Sequence, residues 1–415
     1  MRSRPFSVPR WIMGSAVIIF LLLRTITPAA AAEPIRVGFL GPLSGLFAQA
    51  GKDMLDGVQL GLEEASFQAG GRKIELIAED DESNNATAVA KYRKLVEHDR
   101  VHVFVGVLLV NIGYGLAPMI DRDQLPSLFL TTPDDLTKRK RMTWMIRAAF
   151  SASQPMHAMG DYAYRTLGYR KVVEVAADNG YGHEQMAGFQ RVFEEQGGKV
   201  VQKIWVPLNA QDFAPYISQL PRDVDAVVTC FFAGQAVRFL RQYAESGLKD
   251  KIPLIGSGTT AEDSILRALG DEAVGYVGAM TWAPNVNTPA NRAFVERASA
   301  KLGRTPSYFH AFMYSAARWI VEGAGRVNGQ VEDRPRFFAA IKQAAEGQDI
   351  RGPIRIDEFG NPTQNVYILK AEKVGSGTQN AVIHTYPMVS QFWTYQPQEF
   401  LHAPAYDRGY PPVKR

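Results

Sequence analysis

The sequence predicts an α/β protein with two doubly wound, mostly parallel sheets, each covered by helices on both faces. The first observation is that short apolar runs of strand type alternate with segments whose apolar residues recur at helical spacing. The second is that this alternation ends near residue 150 and then begins again. Strands of parallel sheets are buried on both faces, which is why their sequences are continuously apolar.

The elements follow in a regular order. In the first half the strand-type runs are RVGFL, KIELIAED, VHVFVG and PSLFLT, and helix-type segments such as ATAVAKYRKLVEH lie between them. In the second half they are KVVEVAADNGYG, KVVQKIWVP, DAVVTCFFAG and IPLIGSG. A third section is mostly helical and ends at IRIDEFGNPTQNVYIL, where Asn361 and Pro362 predict the turn of a hairpin. Residues from about 380 alternate only weakly and are expected to end in a tail along the surface.

The first 32 residues have the three parts of a secretory signal peptide. A basic start is followed by the apolar core WIMGSAVIIFLLL and by the small residues PAAAA, which predict cleavage near Ala32. The alternative is a retained membrane anchor, but this core is shorter than the roughly 20 residues that span a bilayer. We therefore expect a mature chain that begins near residue 33.

Charge and cysteine content narrow the class of partner and the compartment. The signal segment carries four arginines and no acidic residue, so the net charge of +4 becomes zero after its removal. A neutral chain does not favour nucleic acid or an anionic membrane as the main partner, and the basic run KRKR at 138–141 is interpreted as a solvated loop. The single cysteine, Cys230, lies in an apolar run and is predicted to be buried, and no cysteine near Ala32 could carry a lipid. These features predict a soluble protein of the Gram-negative periplasm.

Six loops follow predicted strands and are the candidate site. In open α/β sheets, ligands bind beyond the carboxyl ends of the strands, where loops and helix N-termini converge. The loop GPLSG matches neither the GxxxxGK[ST] phosphate motif nor the GxGxxG dinucleotide motif. Most of the six offer Gly, Ser, Thr or Asn, which can hydrogen-bond a ligand without fixed charge; they are GPLSG, GVLLVN, LTTPDD, DNGYG, FFAG and GSGTT.

These loops, in this order, resemble those of the Leu/Ile/Val-binding family of ABC-transporter periplasmic receptors, the type I periplasmic binding proteins. The resemblance extends over VGFLGPLSGLFAQAGKDMLDGVQLGLEEA, ELIAEDDESNNATAVAKYRKLVEHDRVHVFVG, DDLT, DNGYG, DFAPYISQL, FFAGQAVRFLRQYAESGL and GNPTQNVYILK. It implies two lobes, 33–150 plus 283–362 and 151–282 plus 363–415, joined by hinge crossings near residues 150, 282 and 362. It also implies a monomer that clamps a small-molecule ligand between the lobes, needs no cofactor and partners the membrane permease of an ABC importer.

The resemblance also implies where ligand contacts lie. Thr132 falls on the position of a carboxylate-binding threonine, with main-chain groups from Leu130 and Thr131. Capping of the following turn is the alternative role of Thr132. The aromatic positions fall on Tyr181, Phe309 and one of the adjacent pair Phe231 and Phe232, of which Phe232 is chosen as ligand-facing. The predicted ligand-binding set is Ser44, Phe47, Asn111, Leu130, Thr131, Thr132, Tyr181, Phe232, Gly258, Thr259 and Phe309.

Three departures from the amino-acid-binding pattern define the ligand hypothesis. Val110 occupies the serine position, so either the neighbouring Asn111 supplies the polar contact or the ligand is held differently. Capping of a helix is the alternative role of Asn111. Gly258 occupies the position of the glutamate that pairs with the ligand ammonium, and Glu262 or Asp263 would have to replace it. Ala50 occupies the position of a large aromatic residue and releases space. We therefore expect a small carboxylate with an apolar or aromatic body, with branched-chain amino acid binding as the alternative.

The two alternative functions are an enzyme and a ligand sensor of the same fold. An enzyme is not predicted, because the chain has no HExxH, GxSxG or CxxC motif and its seven histidines are scattered. His183, beside Tyr181, is interpreted as a polar group of the cleft or surface. A sensor of the same fold, which reports its ligand to a signalling partner, stays open.

Overall fold

The computed structural model describes Met1, residues 33–375 and residues 377–414. Apart from Met1, the predicted signal peptide and its cleavage site lie outside these residues. No helix in this part of the chain is long and apolar enough to cross a membrane.

The first half of the chain forms a six-stranded sheet. Its strands are β1 (Ile35–Gly41), β2 (Gln68–Ala69), β3 (Arg72–Asp80), β4 (Val103–Gly106), β5 (Ser127–Phe129) and β6 (Met145–Arg147). The order is β2-β3-β1-β4-β5-β6, and only the β2–β3 pair is antiparallel. The order reverses between β1 and β4, so the loops after these two strands diverge and leave a crevice.

The second sheet has nine strands. They are β7 (Lys171–Ala177), β8 (Lys199–Val206), β9 (Ala226–Cys230), β10 (Leu254–Ser257), β11 (Val277–Met280), β12 (Gly347–Asp349), β13 (Gly352–Ile356), β14 (Pro362–Val374) and β15 (Gly377–Val389). The order is β12-β13-β14-β11-β10-β9-β7-β8, with β15 paired to β14. Strands β7 to β11 are parallel to one another, and the later strands, including β14 where it pairs with β11, are antiparallel to their neighbours. The switch point lies between β7 and β9.

Twelve α-helices cover the sheets within the described residues. They are α1 (Ala48–Glu64), α2 (Asn85–Arg93), α3 (Val110–Asp123), α4 (Gln154–Arg165), α5 (Gly180–Glu195), α6 (Ala214–Ile217), α7 (Ala233–Glu245), α8 (Asp263–Leu266), α9 (Pro289–Leu302), α10 (Tyr308–Arg326), α11 (Arg334–Ala344) and α12 (Pro397–His402). Helices α9 to α11 form the predicted helical third section. Helix α10 packs on α1, where a Cβ at Gly57 would lie 2.5 Å from the His310 carbonyl oxygen. Only glycine allows the two backbones to come this close.

The predicted hairpin is confirmed, and the tail that follows it was only partly predicted. Strands β13 and β14 pair in antiparallel register, with Ile356 opposite Pro362. Residues 377–389, expected to alternate weakly, form the 13-residue strand β15. Most of this strand is exposed or half-buried, which explains why its sequence carries no clear period.

The basic run KRKR is not a solvated loop throughout, so that interpretation was wrong for Lys138. Only 2% of Lys138 is exposed, and its ammonium lies 2.8 Å from Asp134 Oδ2. Arg139 donates to the carbonyl oxygens of Phe400 and Ala403, at 2.9 and 2.6 Å. The C-terminal segment 390–414 therefore covers Lys138 and binds Arg139, whereas Lys140 and Arg141 are exposed.

The two sheets do not follow the predicted lobe boundaries strictly. Residues 347–356, inside the segment predicted for the first lobe, hydrogen-bond into the second sheet through β13 and β14. One hydrophobic core contains residues of the first sheet, of α10 and of β14. The lobe boundaries at 150, 282 and 362 stay a prediction.

Candidate functional site

Loops after six strands of the two sheets converge on one cavity of about 880 Å³. The strands are β1, β4 and β5 of the first sheet and β7, β9 and β10 of the second, and the loops are the six that the sequence predicted. Nine residues of the predicted set line this cavity: Phe47, Asn111, Leu130, Thr131, Thr132, Tyr181, Phe232, Thr259 and Phe309. Ser44 and Gly258 are not among the lining residues. Ser44 is exposed, and a Cβ at Gly258 would lie 2.8 Å from Met280 Cβ, within the second sheet.

Three helices begin at the cavity wall. Leu109, Asn179 and Phe232 are the N-cap residues of α3, α5 and α7, and all three line the cavity. Asn179 caps α5 by accepting a hydrogen bond from the Gly182 N–H at 2.8 Å, whereas α3 and α7 have no side-chain cap. Uncapped N-termini leave backbone N–H groups and the positive end of the helix dipole for an anion. The cavity can therefore hold a carboxylate without an arginine partner.

One side of the cavity, the threonine wall, is formed by Leu130, Thr131 and Thr132 and carries two hydroxyl groups. The N–H groups of Leu130 and Thr131 are already bonded to Gly106 O and Val107 O, at 2.9 and 2.8 Å. The Thr131 hydroxyl is buried and has no hydrogen-bond partner among the described residues. A buried hydroxyl without a partner costs about 1–3 kcal/mol, and a ligand acceptor could bond to this one only after a small movement of the wall, because the oxygen is closed to solvent. Thr132 is half-buried at the same wall.

Thr132 and Asn111 do not act as N-caps, because other residues occupy the N-cap positions of the elements that follow. Pro133 occupies the N-cap position of the turn after Thr132, and Leu109 occupies that of α3. Asn111 instead donates from Nδ2 to Asn85 Oδ1 at 3.0 Å. Thr132 and Asn111 are therefore not needed to begin these elements.

Aromatic rings from both halves of the chain form much of the wall. The Phe232 ring centroid lies 6.3 Å from that of Phe47 and 6.1 Å from that of Tyr181. Phe231 is instead fully buried, 4.6 Å from Phe239. Every lining ring is a phenylalanine or a tyrosine, and no tryptophan lines the part of the cavity that the structure describes.

Two carboxylates line the cavity besides the predicted residues. Asp53 is ion-paired with Arg304 and also accepts from Ser307 Oγ at 2.8 Å. Glu262 is half-buried at the N-cap of α8, and burial raises its pKa to about 7. Asp263 does not line the cavity, because its carboxylate accepts hydrogen bonds from Asn380 at 3.1 and 3.0 Å. Of the two carboxylates expected to replace the glutamate missing at 258, Glu262 lines the cavity and Asp263 does not.

The sequence did not single out Asp53, Arg304 or Tyr308, all of which line the cavity. Asp53 lies within an otherwise apolar helix face, with Met54 and Gly57 buried beside it, and an acidic residue in such a position was an available signal. Tyr308 stands next to the predicted Phe309, and their ring centroids are 4.1 Å apart.

His183 and the other possible metal ligands form no second site in the residues that the structure describes. His183 does not line the cavity; its Nε2 lies 2.8 Å from Asp178 Oδ1, and its ring is 4.7 Å from that of Trp205. No group of three or more His, Cys, Asp or Glu residues in the described ranges could hold a metal ion.

Comparison with known families agrees with this arrangement of loops around a cleft. The periplasmic binding protein family matches residues 34–378, most of the chain. The chain belongs to this family. Periplasmic binding proteins of this type are substrate-binding proteins of ABC transporters, so the chain is a small-molecule-binding protein and not an enzyme.

Individual relatives confirm the resemblance to the Leu/Ile/Val-binding proteins. The Leu/Ile/Val-binding protein homolog 6 of Brucella suis is 28% identical over 382 residues, which cover 90% of this chain and 96% of the relative. An ABC transporter substrate-binding protein from Sphaerobacter thermophilus is 35% identical, with a TM-score of 0.83, and the match covers 86% of this chain and 99% of that structure.

A second solved structure contains a ligand. It is a solute-binding protein of an ABC transporter from Rhodopseudomonas palustris BisB5 in complex with 3,4-dihydroxybenzoic acid. The two chains are 28% identical, with a TM-score of 0.80, and the match covers 86% of this periplasmic binding protein and 98% of that structure.

Proposed function

We propose that this periplasmic binding protein takes up a small carboxylate with an aromatic or apolar body and delivers it to the membrane permease of an ABC importer. The observation that carries the proposal is the composition of the cavity wall. The half-buried Thr132 and the uncapped N-terminus of α3 offer donors to an acid group, and rings line the space beside them. The Rhodopseudomonas palustris relative, which was crystallised with an aromatic acid, supports this ligand class.

Binding would close two lobes around the ligand. Thr132 and Phe47 belong to the first predicted lobe, and Tyr181 and Phe232 belong to the second. A ligand that contacts both walls stabilises the closed arrangement over the open one, because these contacts exist together only when the lobes are close. The permease would recognise the closed form. The chain would act as a monomer in the periplasm after removal of residues 1–32.

A thermal-shift panel tests this function. At a concentration near 100 times its dissociation constant, a ligand stabilises the folded protein by about 2.7 kcal/mol. We expect stabilisation by benzoate, hydroxybenzoates or phenylpropanoates and none by leucine or valine. Stabilisation by leucine or valine alone would reject the proposal.

Branched-chain amino acid binding is the second candidate. It is favoured by the Brucella suis relative and by the position of Glu262, which could accept a hydrogen bond from a ligand ammonium. The same panel separates the two candidates, because an α-amino acid and its deaminated analogue differ only in that ammonium. A preference for leucine over 4-methylpentanoate would support the amino acid.

A further inference from the structure

The two carboxylates of the cavity, Asp53 and Glu262, differ in how many further hydrogen bonds they can accept. Asp53 Oδ1 accepts from Gln49 Nε2 at 2.7 Å and from Arg304, and Oδ2 accepts from Ser307. Glu262 accepts only from Ser264, through its N–H and its hydroxyl, as far as the described residues go. An ionised carboxylate has about four acceptor positions, so Glu262 keeps capacity for a ligand donor.

The helix N-termini of the cavity favour a neutral donor over a cation at Glu262. The charged neighbours that act on Glu262 are Asp53 and Asp263, and Asp53 is already paired with Arg304. The positive ends of α3, α5 and α7 open into the same cavity. Helix N-termini favour anions, so an ammonium group would enter an unfavourable field. A hydroxyl group can donate to Glu262 without bringing a positive charge.

Glu262 and the threonine wall belong to different parts of the cavity. Thr131 and Thr132 follow β5 of the first sheet, whereas Glu262 follows β10 of the second and lies near Asp53 and Tyr308. The cavity of about 880 Å³ is also several times larger than the roughly 150 Å³ that is enough for one benzene ring. A ligand that contacts both groups has its acid at one end and its donor at the other.

From these three observations we infer that Glu262 selects among the acids of the proposed function, and that the preferred ligand carries a hydroxyl group at the end remote from its carboxylate. The inference rests on the proposed function and adds a specificity-determining residue to it. Helix α8 has only four residues, and capping it requires no more than the bond to Ser264.

Matched ligand pairs test this role. Benzoate is compared with 4-hydroxybenzoate, and 3-phenylpropanoate with 3-(4-hydroxyphenyl)propanoate, by isothermal titration calorimetry at pH 8. For at least one pair we expect the hydroxylated acid to bind about tenfold more tightly or better, which is the effect of one hydrogen bond to a charged acceptor. In Glu262→Met the preference should fall to about twofold or less, while the non-hydroxylated acid keeps its affinity.

Two further variants keep the experiment decisive. Asp263→Asn changes the neighbouring carboxylate, which does not line the cavity, and should leave the preference unchanged. Glu262→Gln keeps the size of the side chain and an acceptor oxygen, so its preference for the hydroxylated acid should be intermediate. It replaces Glu262→Met in the experiment if that variant does not fold.

The outcomes separate the inference from the function on which it rests. Absence of a preference in both pairs, or an equal preference in wild type and Glu262 variants, overturns the inference while the proposed function stands. Failure of all four acids to bind rejects the proposed function and the inference together.

Discussion

The buried pair Lys138 and Asp134 and the half-buried Glu262 of the cavity differ in how completely their hydrogen bonds are made. Near the predicted crossing at residue 150, Lys138 Nζ lies 2.8 Å from Asp134 Oδ2 and 3.1 Å from Ser153 Oγ. The Phe400 ring covers it at 4.5 Å, and Glu184 accepts from the Asp134 N–H at 3.1 Å. In the cavity, Glu262 accepts hydrogen bonds from Ser264 alone among the residues that the structure describes.

This difference distinguishes charged groups that stabilise the fold from charged groups that can bind a ligand. A buried pair whose hydrogen bonds are complete fixes the position of the chain and leaves little to offer a ligand. A group with spare acceptor or donor capacity costs stability until something binds to it. Thr131 and Glu262 are of the second kind, and the Lys138 cluster is of the first.

The largest effect is expected at the structural cluster. Lys138→Met leaves Asp134 buried without its cation and should lower the free energy of unfolding by about 3–5 kcal/mol. Urea denaturation measures this loss. Lys140→Met is the matched control, because Lys140 is exposed and its ammonium lies 4.8 Å from the Tyr114 ring centroid. That change should cost about 1 kcal/mol or less. Equal losses in the two variants would show that the cluster is not a structural anchor.

The next effect is expected at the rings of the cavity. Tyr181→Ala removes the ring that packs against Phe232 and should weaken binding of an aromatic acid about tenfold to a hundredfold, while the protein stays folded. Titration calorimetry and circular dichroism measure the two properties. Tyr181→Phe keeps the ring and should bind within about threefold of wild type. Unchanged affinity in Tyr181→Ala would remove this residue from the site.

A smaller loss is expected at the threonine wall. Thr132→Val is nearly isosteric but cannot donate, so the affinity for any carboxylate should fall about tenfold. The unfolding free energy should change little, because Thr132 is half-buried. The exposed Thr143, changed to Val, serves as the control for the loss of a hydroxyl. Equal affinities in Thr132→Val and Thr143→Val would contradict a carboxylate contact at Thr132.

The smallest effect is a pH dependence that belongs to the cavity carboxylate. Because burial raises the pKa of Glu262 to about 7, this group is mostly neutral at pH 6 and mostly ionised at pH 8. The ionised form accepts the stronger hydrogen bond, so the affinity for a hydroxylated acid should rise several-fold from pH 6 to pH 8. The titratable and charged groups around Glu262 are Asp53, Asp263, Arg267, Arg304 and Tyr308.

Glu262→Gln identifies the source of this dependence. The variant should show a flat profile over the same range, since the ligand carboxyl is already ionised at pH 6. A slope that persists in the variant would assign the titration to another of the surrounding groups.

The sequence predicted the fold well where burial leaves a clear pattern. Continuous apolar runs marked the central strands, and their loops marked the cavity. Strand β15 was missed because most of its residues are exposed, which removes the period. The burial of Lys138 was missed because the rings that cover it come from Phe400 and its neighbours, more than 250 residues later. Sequence spacing also could not decide whether Glu262 or Asp263 faces the cavity, since this depends on the contact with Asn380.

The absence of tryptophan from the described cavity lining has a practical consequence for spectroscopy. A ligand in this cavity does not touch an indole, so with an acid that does not absorb in the tryptophan range, such as 4-methylpentanoate, a change in tryptophan emission reports a rearrangement of the protein. Trp282, whose Nε1 donates to Asn291 Oδ1 at 2.7 Å, stands at one of the predicted crossings. Its fluorescence would therefore follow the lobe closure proposed above, independently of the calorimetric heat.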